Sequence, residues 1–474
     1  MNFETKTITI MRLTRIVCFL ALLLPGLLHG QEAGLLRMDP DHRKPKTHAG
    51  VWGGIEEGRF KPTHAAVFQW SAGADAQAVR HGQKSSWSGA LSFRQTVGNN
   101  MLSSMFLEPG YFPVDLLEFT PGVKSRQDVH LEGGFLSDLG YEWAAGIQGA
   151  VDGAHLAKSQ DLRHSNLGLR LQVEPTLTYV MDDDMGFVTT YGVALRTESL
   201  SVDNPGAAFL DKGMRYGAFL AGSGPGTFSV QEFSHGFTGH FHSEEFSAQL
   251  KWIWKRGKAE GAEFGSFTFP GSTVSAFIEQ TFLADEVDHR YRLSYKRERD
   301  QLRETAAGEG GFTTDSDRVG RELELKYETR FLRGALKSIG LSLGASRWVE
   351  RSFVSPSSDL TKRNLGLATL FAAFSAGGIR LDLHAQAGSG LWRDRGRSRD
   401  ETEDRPYRQT VDWLRQMEYL MTPRIGLGGS VKVPIPSVGG LYAQLDADWF
   451  RALKRTYMGG TNREIATLKV GYDF

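Results

Sequence analysis

Apolar and polar residues alternate one for one through most of this chain. Phe68, Trp70, Ala72, Ala74, Ala76 and Ala78 stand against Gln69, Ser71, Gly73, Asp75 and Gln77. The following segment sets Trp87, Gly89, Leu91 and Phe93 against Ser86, Ser88, Ser92 and Arg94. Similar rows recur at 129–135, 141–151, 167–179, 246–254, 291–295, 323–327 and 379–385, with 273–283 the least clear. A period of two puts each set on one face of a strand, whereas a helix would scatter both. Segments near ten residues long, alternating in this way, suit strands with one face in lipid and one in a lumen.

The connections support the same fold. Short turns are expected at 137–140, 181–186, 242–245, 284–288, 333–337, 375–378 and 434–440. Longer connections rich in Gly and charge are expected at 96–126, 199–231, 257–272, 300–318, 352–363 and 392–416. Short turns on one side and long loops on the other are the asymmetry of outer-membrane barrels. Seventeen strands read clearly; an even count requires one more, and residues 47–57 (THAGVWGGIEE) are the candidate. The expected fold is all-β: a single closed antiparallel transmembrane barrel of 18 strands, with 16 as the alternative count. Closure is required because strands in lipid must satisfy every backbone group.

The first thirty residues carry an address. Residues 11–30 read MRLTRIVCFLALLLPGLLHG, with Arg12 and Arg15 ahead of an apolar stretch and Gly30 at a cleavage point. This is a secretory signal peptide, shorter than the ~20 apolar residues of a spanning helix. The expected division is a signal peptide over 1–30 and an outer-membrane barrel over 31–474. Cys18 is the sole cysteine and lies in the signal, which excludes disulfides and thiol chemistry from the mature chain. Export removes Lys6, Arg12 and Arg15 from 55 basic residues and Glu4 from 55 acidic ones, leaving 52 against 54. That balance gives no electrostatic case for nucleic acid. Aromatic residues at 11% exclude disorder, and 55 glycines suit a turn-rich β protein.

The last strand is the most specific signal. Ala466, Leu468, Val470, Tyr472 and Phe474 alternate with Thr467, Lys469, Gly471 and Asp473. This resembles the C-terminal strand that barrel-assembly machinery reads, with Tyr472 and Phe474 as the assembly signal. A soluble sandwich that happens to end in Phe is the competing explanation. Implied partners are outer-membrane lipids and that machinery, and the implied location is the outer membrane.

One stretch is more particular. Residues 108–135 read EPGYFPVDLLEFTPGVKSRQDVHLEGGF, 157–179 read AKSQDLRHSNLGLRLQVEPTLTY, and 209–236 read FLDKGMRYGAFLAGSGPGTFSVQEFSHG. They resemble an uncharacterised family of Gram-negative outer-membrane β-barrels, known as a domain of unknown function. The matching positions are Lys124, Arg126 and Asp128; Asp161, Leu162, Arg163 and Asn166; and 209–217. The resemblance covers most of the mature chain, clearest over 47–260. Members are often encoded near TonB-dependent receptors, which implies a TonB-dependent receptor system as partner and an accessory role in nutrient or metal uptake. It implies no active-site residues.

Candidate chemistry lies on the face opposite the apolar rows. Lumen-lining candidates are Arg170, Glu174, Arg196, Glu198, Lys251, Lys255, Arg290, Arg292, Lys296, Glu322, Glu324, Lys326, Glu328, Arg330, Arg380 and Asp382. They form either a charge-selective pore wall or a ladder of cross-strand ion pairs that fills and stiffens the wall. His240 and His242 share one face, but no carboxylate or cysteine completes a metal site in sequence. Asp182, Asp183 and Asp184 read as a solvated turn, lacking the spaced ligands of a calcium loop. GSGPG at 222–226 neither links a strand to a helix nor ends in Lys-Ser/Thr, so it is no phosphate cradle. The neighbours His164–Ser165 and Ser234–His235 sit in no hydrolase motif. No cofactor and no enzyme activity are indicated. The leading expectation is a passive pore or accessory component in uptake of small solutes. A closed surface-binding or structural barrel is the alternative, and an outer-membrane hydrolase the third reading.

Changing Tyr472 and Phe474 together to Ser should sharply reduce membrane insertion, because the terminal lipid-facing row loses both rings. The check is the heat-shifted band on unboiled gels of outer-membrane fractions; an undiminished folded band would overturn it.

Overall fold

The computed structural model describes residues 46–473 except 63, 159–162, 183–184, 204–207, 212–216, 220–225, 262–264, 285, 306–311, 353–358, 396–415, 436–439 and 455–459. The expected signal peptide, Phe474, Asp161, Leu162, Asp183, Asp184 and most of GSGPG lie outside the described residues.

The first seven strands are β1 (Lys46–Gly58), β2 (Phe68–His81), β3 (Ser85–Ser104), β4 (Asp115–Gly140), β5 (Trp143–Lys158), β6 (His164–Asp182) and β7 (Met185–Val202). A small hairpin follows, β8 (Ala208–Asp211) and β9 (Gly217–Phe219). Next come β10 (Gly226–His242), β11 (Phe246–Gly261), β12 (Gly265–Ala284), β13 (Val287–Thr305), β14 (Phe312–Phe331) and β15 (Leu336–Ser352). The last five are β16 (Asp359–Ala376), β17 (Ile379–Arg395), β18 (Arg424–Pro434), β19 (Leu441–Ala452) and β20 (Asn462–Asp473).

Each wall strand pairs antiparallel with its neighbour in sequence, β7 passing directly to β10. The ring closes where β1 meets β20, with Val51 opposite Val470 and Gly58 opposite Arg463. Eighteen strands therefore form the wall, and the strand expected at 47–57 is the one that closes it. β8 stands outside this count and pairs with the start of β4, Leu116 opposite Leu210.

Tight turns join the strands at one end. Gly377 and Gly378 take positive φ values of 59° and 81°, and Tyr141 and Glu142 take 52° and 70°. Two residues with positive φ match the right-handed twist of a hairpin. At the other end, several segments expected as loops are strand for most of their length. β11 runs to Gly261 and β12 resumes at Gly265; β13 runs to Thr305 and β14 resumes at Phe312. Hairpins that rise beyond the membrane have no lipid to demand an apolar face. Their alternation fades although their ladder hydrogen bonds do not.

The outward row is apolar and exposed, including Trp70, Leu131, Ile147, Leu171, Trp252, Leu293, Leu325, Leu383 and Leu468. A continuous belt of that kind is stable only against lipid. Among the described residues no helix is long and apolar enough to cross a membrane, and the strands do the crossing. The chain is an outer-membrane β-barrel. On β11, Trp252 and Trp254 are exposed and stack at 4.6 Å, while Lys255 faces an inward aromatic ring, its Nζ 5.1 Å from the Tyr111 centroid.

Trp252 stands six residues above Phe246 at the turn end of β11. At ~3.3 Å per residue and ~40° tilt this is about 15 Å up, mid-depth in a band about 25 Å tall. Trp252→Arg should destabilise the barrel by about 2–4 kcal/mol in lipid, more than Lys251→Trp does. Chemical unfolding in vesicles gives the order, and the reverse order would contradict this register.

Candidate functional site

Residues 105–114 (MFLEPGYFPV) leave the wall at Ser104 and return at Asp115, folding into the lumen. Gly110 turns the segment with φ 78°, and Tyr111 N donates to Glu108 O at 3.1 Å. Met105, Phe106, Phe112 and Val114 are almost wholly buried. They pack against Leu200 and Val202 of β7, Phe228 and Val230 of β10, Ala259 of β11, Phe267 and Phe269 of β12, and Leu302 of β13. Phe112 meets Phe269 edge-on at 5.7 Å and Tyr111 at 4.9 Å. Each fully buried Phe or Met stabilises this docking by roughly 1.5–3 kcal/mol. The wall is built for it. Inward positions on β7 change from Arg196 and Glu198 to Leu200 and Val202 toward the long-connection end of the strand.

Polar wall residues hold the backbone of the segment. Lys124 Nζ donates to Ser104 O at 3.0 Å, and Arg126 donates to Leu107 O. Asn166 donates to Met105 O at 3.1 Å, and Glu198 accepts from Leu107 N at 3.1 Å. Arg318 donates to Gly110 O at 2.8 Å and Tyr111 O at 3.3 Å. Buried backbone groups left unpaired cost about 1–3 kcal/mol each, so these contacts are obligatory. Behind them, Glu118 is fully buried and takes Lys124 at 2.7 Å and Lys158 at 2.5 Å. Lys124, Arg126 and Asn166, prominent in the motifs of the chain, are thus the clamps of the inward segment.

Tyr111 is the tip. Its hydroxyl donates to Glu232 at 2.7 Å, and the Arg196 guanidinium lies 3.9 Å from its ring centroid. Burial pushes the Tyr111 phenol well above its usual range, and the Glu232 carboxylate adds to this. Arg196 also pairs with Glu108 at 3.1 Å and Glu198 at 3.0 Å. Beside this knot lies a cavity of about 330 Å³, lined by Arg94, Arg126, Arg170 and Arg196 and by Glu108, Asp128, Asp152 and Glu198. A second space of about 470 Å³ shares Arg94, Arg126 and Asp128 and extends to Glu56, His64 and Arg463. Arg126 pairs with Asp128 at 2.7 Å and Arg463 with Glu56 at 2.7 Å. Arg94 instead contacts Thr96 at 3.2 Å and lies 5.8 Å from the Trp52 ring.

On the opposite wall, Phe60 is buried against Tyr419 of a short helix at 416–421, centroids 5.1 Å apart. Burial lowers the His64 imidazole to about 4, with Lys61, Lys124 and Arg463 adding to the effect.

The lumen candidates divide by location. Arg170, Arg196, Glu198 and Lys255 converge on the inward segment. Glu174 accepts from Gln172 at 2.7 Å, and Lys251 lies two inward steps below Ser234–Lys255, opposite Thr238. The others line the far wall. Arg290 and Arg292 reach Glu279 of β12 at 3.6 and 3.9 Å. Lys296 pairs with Glu298 at 2.8 Å, although Glu322 stands opposite it in register. Glu324 accepts from Ser342 at 2.6 Å. Lys326 and Arg330 both hold Glu328, at 3.3 and 3.0 Å, and Arg380 holds Asp382 at 2.8 Å. Among these candidates, pairs two residues apart on one strand outnumber the cross-strand pairs that a ladder requires, because an i,i+2 neighbour on the same face is within reach of a long side chain. Glu279, Glu118, Glu232, Arg318 and the whole 105–114 segment escape the sequence reading. The usable signal was apolar residues on both faces of the upper strands.

Among the described residues no group of three or more His, Cys, Asp or Glu is placed to hold a metal ion. His240 contacts Ser247 at 2.8 Å, its ring 5.8 Å from that of His242. His164 turns inward toward Glu118, and Ser165 instead meets His155 at 2.9 Å.

The chain belongs to a family of unknown function, DUF6850, whose model matches residues 44–474. No curated protein matches it in sequence. Solved structures similar to it include the FrpB iron transporter from Neisseria meningitidis (F3-3 variant), at 6% identity and TM-score 0.43, covering 90% of this chain and 81% of that one. BauA, the ferric preacinetobactin receptor from Acinetobacter baumannii, shows 9% identity and TM-score 0.44, covering 91% and 80%. The ferric citrate transporter FecA in its unliganded form shows 7% identity and TM-score 0.41, covering 91% and 79%.

Residues 59–67 should undock as pH falls. A released His64 binds a proton near its ordinary 6.5, whereas the docked ring does so only near 4. Docking is therefore fully favoured above 6.5 and weakens progressively down to 4. Hydrogen exchange at these amides, corrected for intrinsic rate, should rise across that window. His64→Gln should flatten the profile; an unchanged slope in that variant would refute the assignment.

Proposed function

We propose that this barrel is a passive pore for small polar solutes, narrowed by the inward segment, with the cavity beside Tyr111 as the solute's contact site. The supporting observation is the lining of that cavity: of its four arginines and four carboxylates, Arg126, Arg196 and Glu198 brace the inward segment, which leaves Arg94, Arg170 and Asp152 as the charges offered to a solute. Such a lining replaces hydration of both charged ends of a solute while giving an uncharged apolar molecule nothing. Amphoteric solutes, which carry both charges, fit best. The constriction is fixed rather than gated, since its apolar side chains form a buried core with the wall. That same packing is what would favour the second reading, a closed binding barrel.

Planar-bilayer conductance with liposome swelling tests the choice. The purified barrel should conduct, and small amphoteric solutes should enter liposomes faster than uncharged ones of equal size. Arg94→Glu with Arg170→Glu should move the reversal potential toward cation selectivity, because fixed charge sets local counter-ion concentration. A folded wild-type barrel without conductance would retire the pore and leave the closed barrel.

A further inference from the structure

The outer wall carries a feature that the lumen does not explain. Arg297 of β13, Arg321 of β14 and Arg347 of β15 stand directly opposite one another in register, and all three are exposed. They share the outward face with Tyr295, Leu323 and Ala345, one step nearer the turns. One step further out, Lys362 and Arg393 stand opposite each other on β16 and β17. Among the described residues none of these five has a carboxylate partner. The nearby outward acid Asp317 is held by Arg299 at 3.1 Å. Like charges directly opposite on adjacent strands are destabilising by themselves.

Depth gives the reason for the row. Arg297 lies ten residues above Val287 at the turn end of β13. With ~3.3 Å per residue and ~40° tilt it sits about 25 Å up, at the far edge of the apolar band. The rows below it are apolar, Tyr295–Leu323–Ala345 and then Leu293–Leu325–Leu343. Directly beside Arg321 and Arg347 is a groove of about 570 Å³ on this wall, bordered by Tyr295, Leu323, Ala345 and Leu391. Small residues, Ala345, Gly366 and Ser389, follow one another across three strands along it. Cationic forks above an apolar trough are complementary to one kind of molecule, an anionic headgroup on acyl chains.

We infer that Arg297, Arg321 and Arg347 bind the phosphate-bearing headgroup of a membrane lipid in the leaflet on the long-connection side, with an acyl chain in the adjoining groove. This does not depend on whether the lumen conducts. The phosphate supplies the negative charge that the ladder lacks, and guanidinium groups bind it in paired fashion.

The full-length folded barrel in neutral detergent is incubated with diphosphoryl lipid A, with the same lipid dephosphorylated, or with inorganic phosphate. Retained lipid is counted by native mass spectrometry, and stability is read as the temperature at which the unheated gel band shifts. Wild type should retain the phosphorylated lipid at least about tenfold better than its dephosphorylated form and shift to higher temperature with it alone. R297Q/R321Q/R347Q should keep the folded band without lipid, since it loses only repulsion, and should lose both the preference and the shift. Equal retention of the two lipids, an equal shift with inorganic phosphate, or a Gln variant that still prefers the phosphorylated lipid would overturn the proposal.

Discussion

A length of irregular backbone inside a barrel must find hydrogen-bond partners that its own strands cannot supply. Residues 105–114 meet that demand from the wall. Arg126, Asn166 and Arg318 donate to its carbonyls, and Glu198 accepts from Leu107 N. Much of the inward charge is therefore committed before any solute arrives. Arg196 and Glu198 are braces first, and their effect on passage is indirect. Removing one such group would leave both an unpaired charge and an unpaired backbone atom, the costly half of the hydrogen-bond asymmetry.

Glu118 shows how far this goes. Two lysines close on one carboxylate where no solvent reaches it. Burying charge is expensive, and a pair this deep is weak support for net stability. Its effect is better understood as register. Lys124 and Lys158 come from neighbouring strands directly opposite each other, and Glu118 comes from the stretch returning from the lumen. A one-residue slip of β4 against β5 would turn Lys124 outward, carry Glu118 with it, and leave Lys158 buried without its carboxylate. The cluster thus favours one placement of the inward segment over its neighbours in register.

The fold was legible because lipid enforces alternation. Within the apolar band every outward position must be apolar, so Leu167, Leu169, Leu171 and Val173 announce a strand. Parity then located β1, whose Gly-rich sequence hides its pattern. Above the band that rule lapses, and residues 265–272 and 312–318 read as loops although they are paired strands. The inward segment was hidden for a related reason. Leu200, Val202, Phe228 and Val230 are apolar at inward positions, which contradicts a water-filled lumen unless something apolar covers them. Read as an anomaly, those four residues point to an internal partner. Ion pairing was half legible: pairs such as Arg380–Asp382 lie two residues apart in sequence, whereas Glu279 depends on the register of β12, the least clearly patterned strand.

The two faces of β14 share one geometry and differ in how their charges are compensated. Inside, cations lie two residues or one strand from an anion, and Lys326, Glu328 and Arg330 interlock along a single strand. Outside, on the same β14, Arg321 stands between Arg297 and Arg347 without such compensation among the described residues. Each outward arginine at that height has the apolar band on one side, with Tyr295, Leu323 and Ala345 one step below. Long side chains there can reach upward out of hydrocarbon, which removes the cost of depth but not the mutual repulsion. The repulsion falls only if an anion settles among the three. Phosphate groups are concentrated at the headgroup level, so the unbalanced row lies where the membrane itself carries the counter-charge. Inward neutrality and outward imbalance are then one arrangement, set by what each face meets.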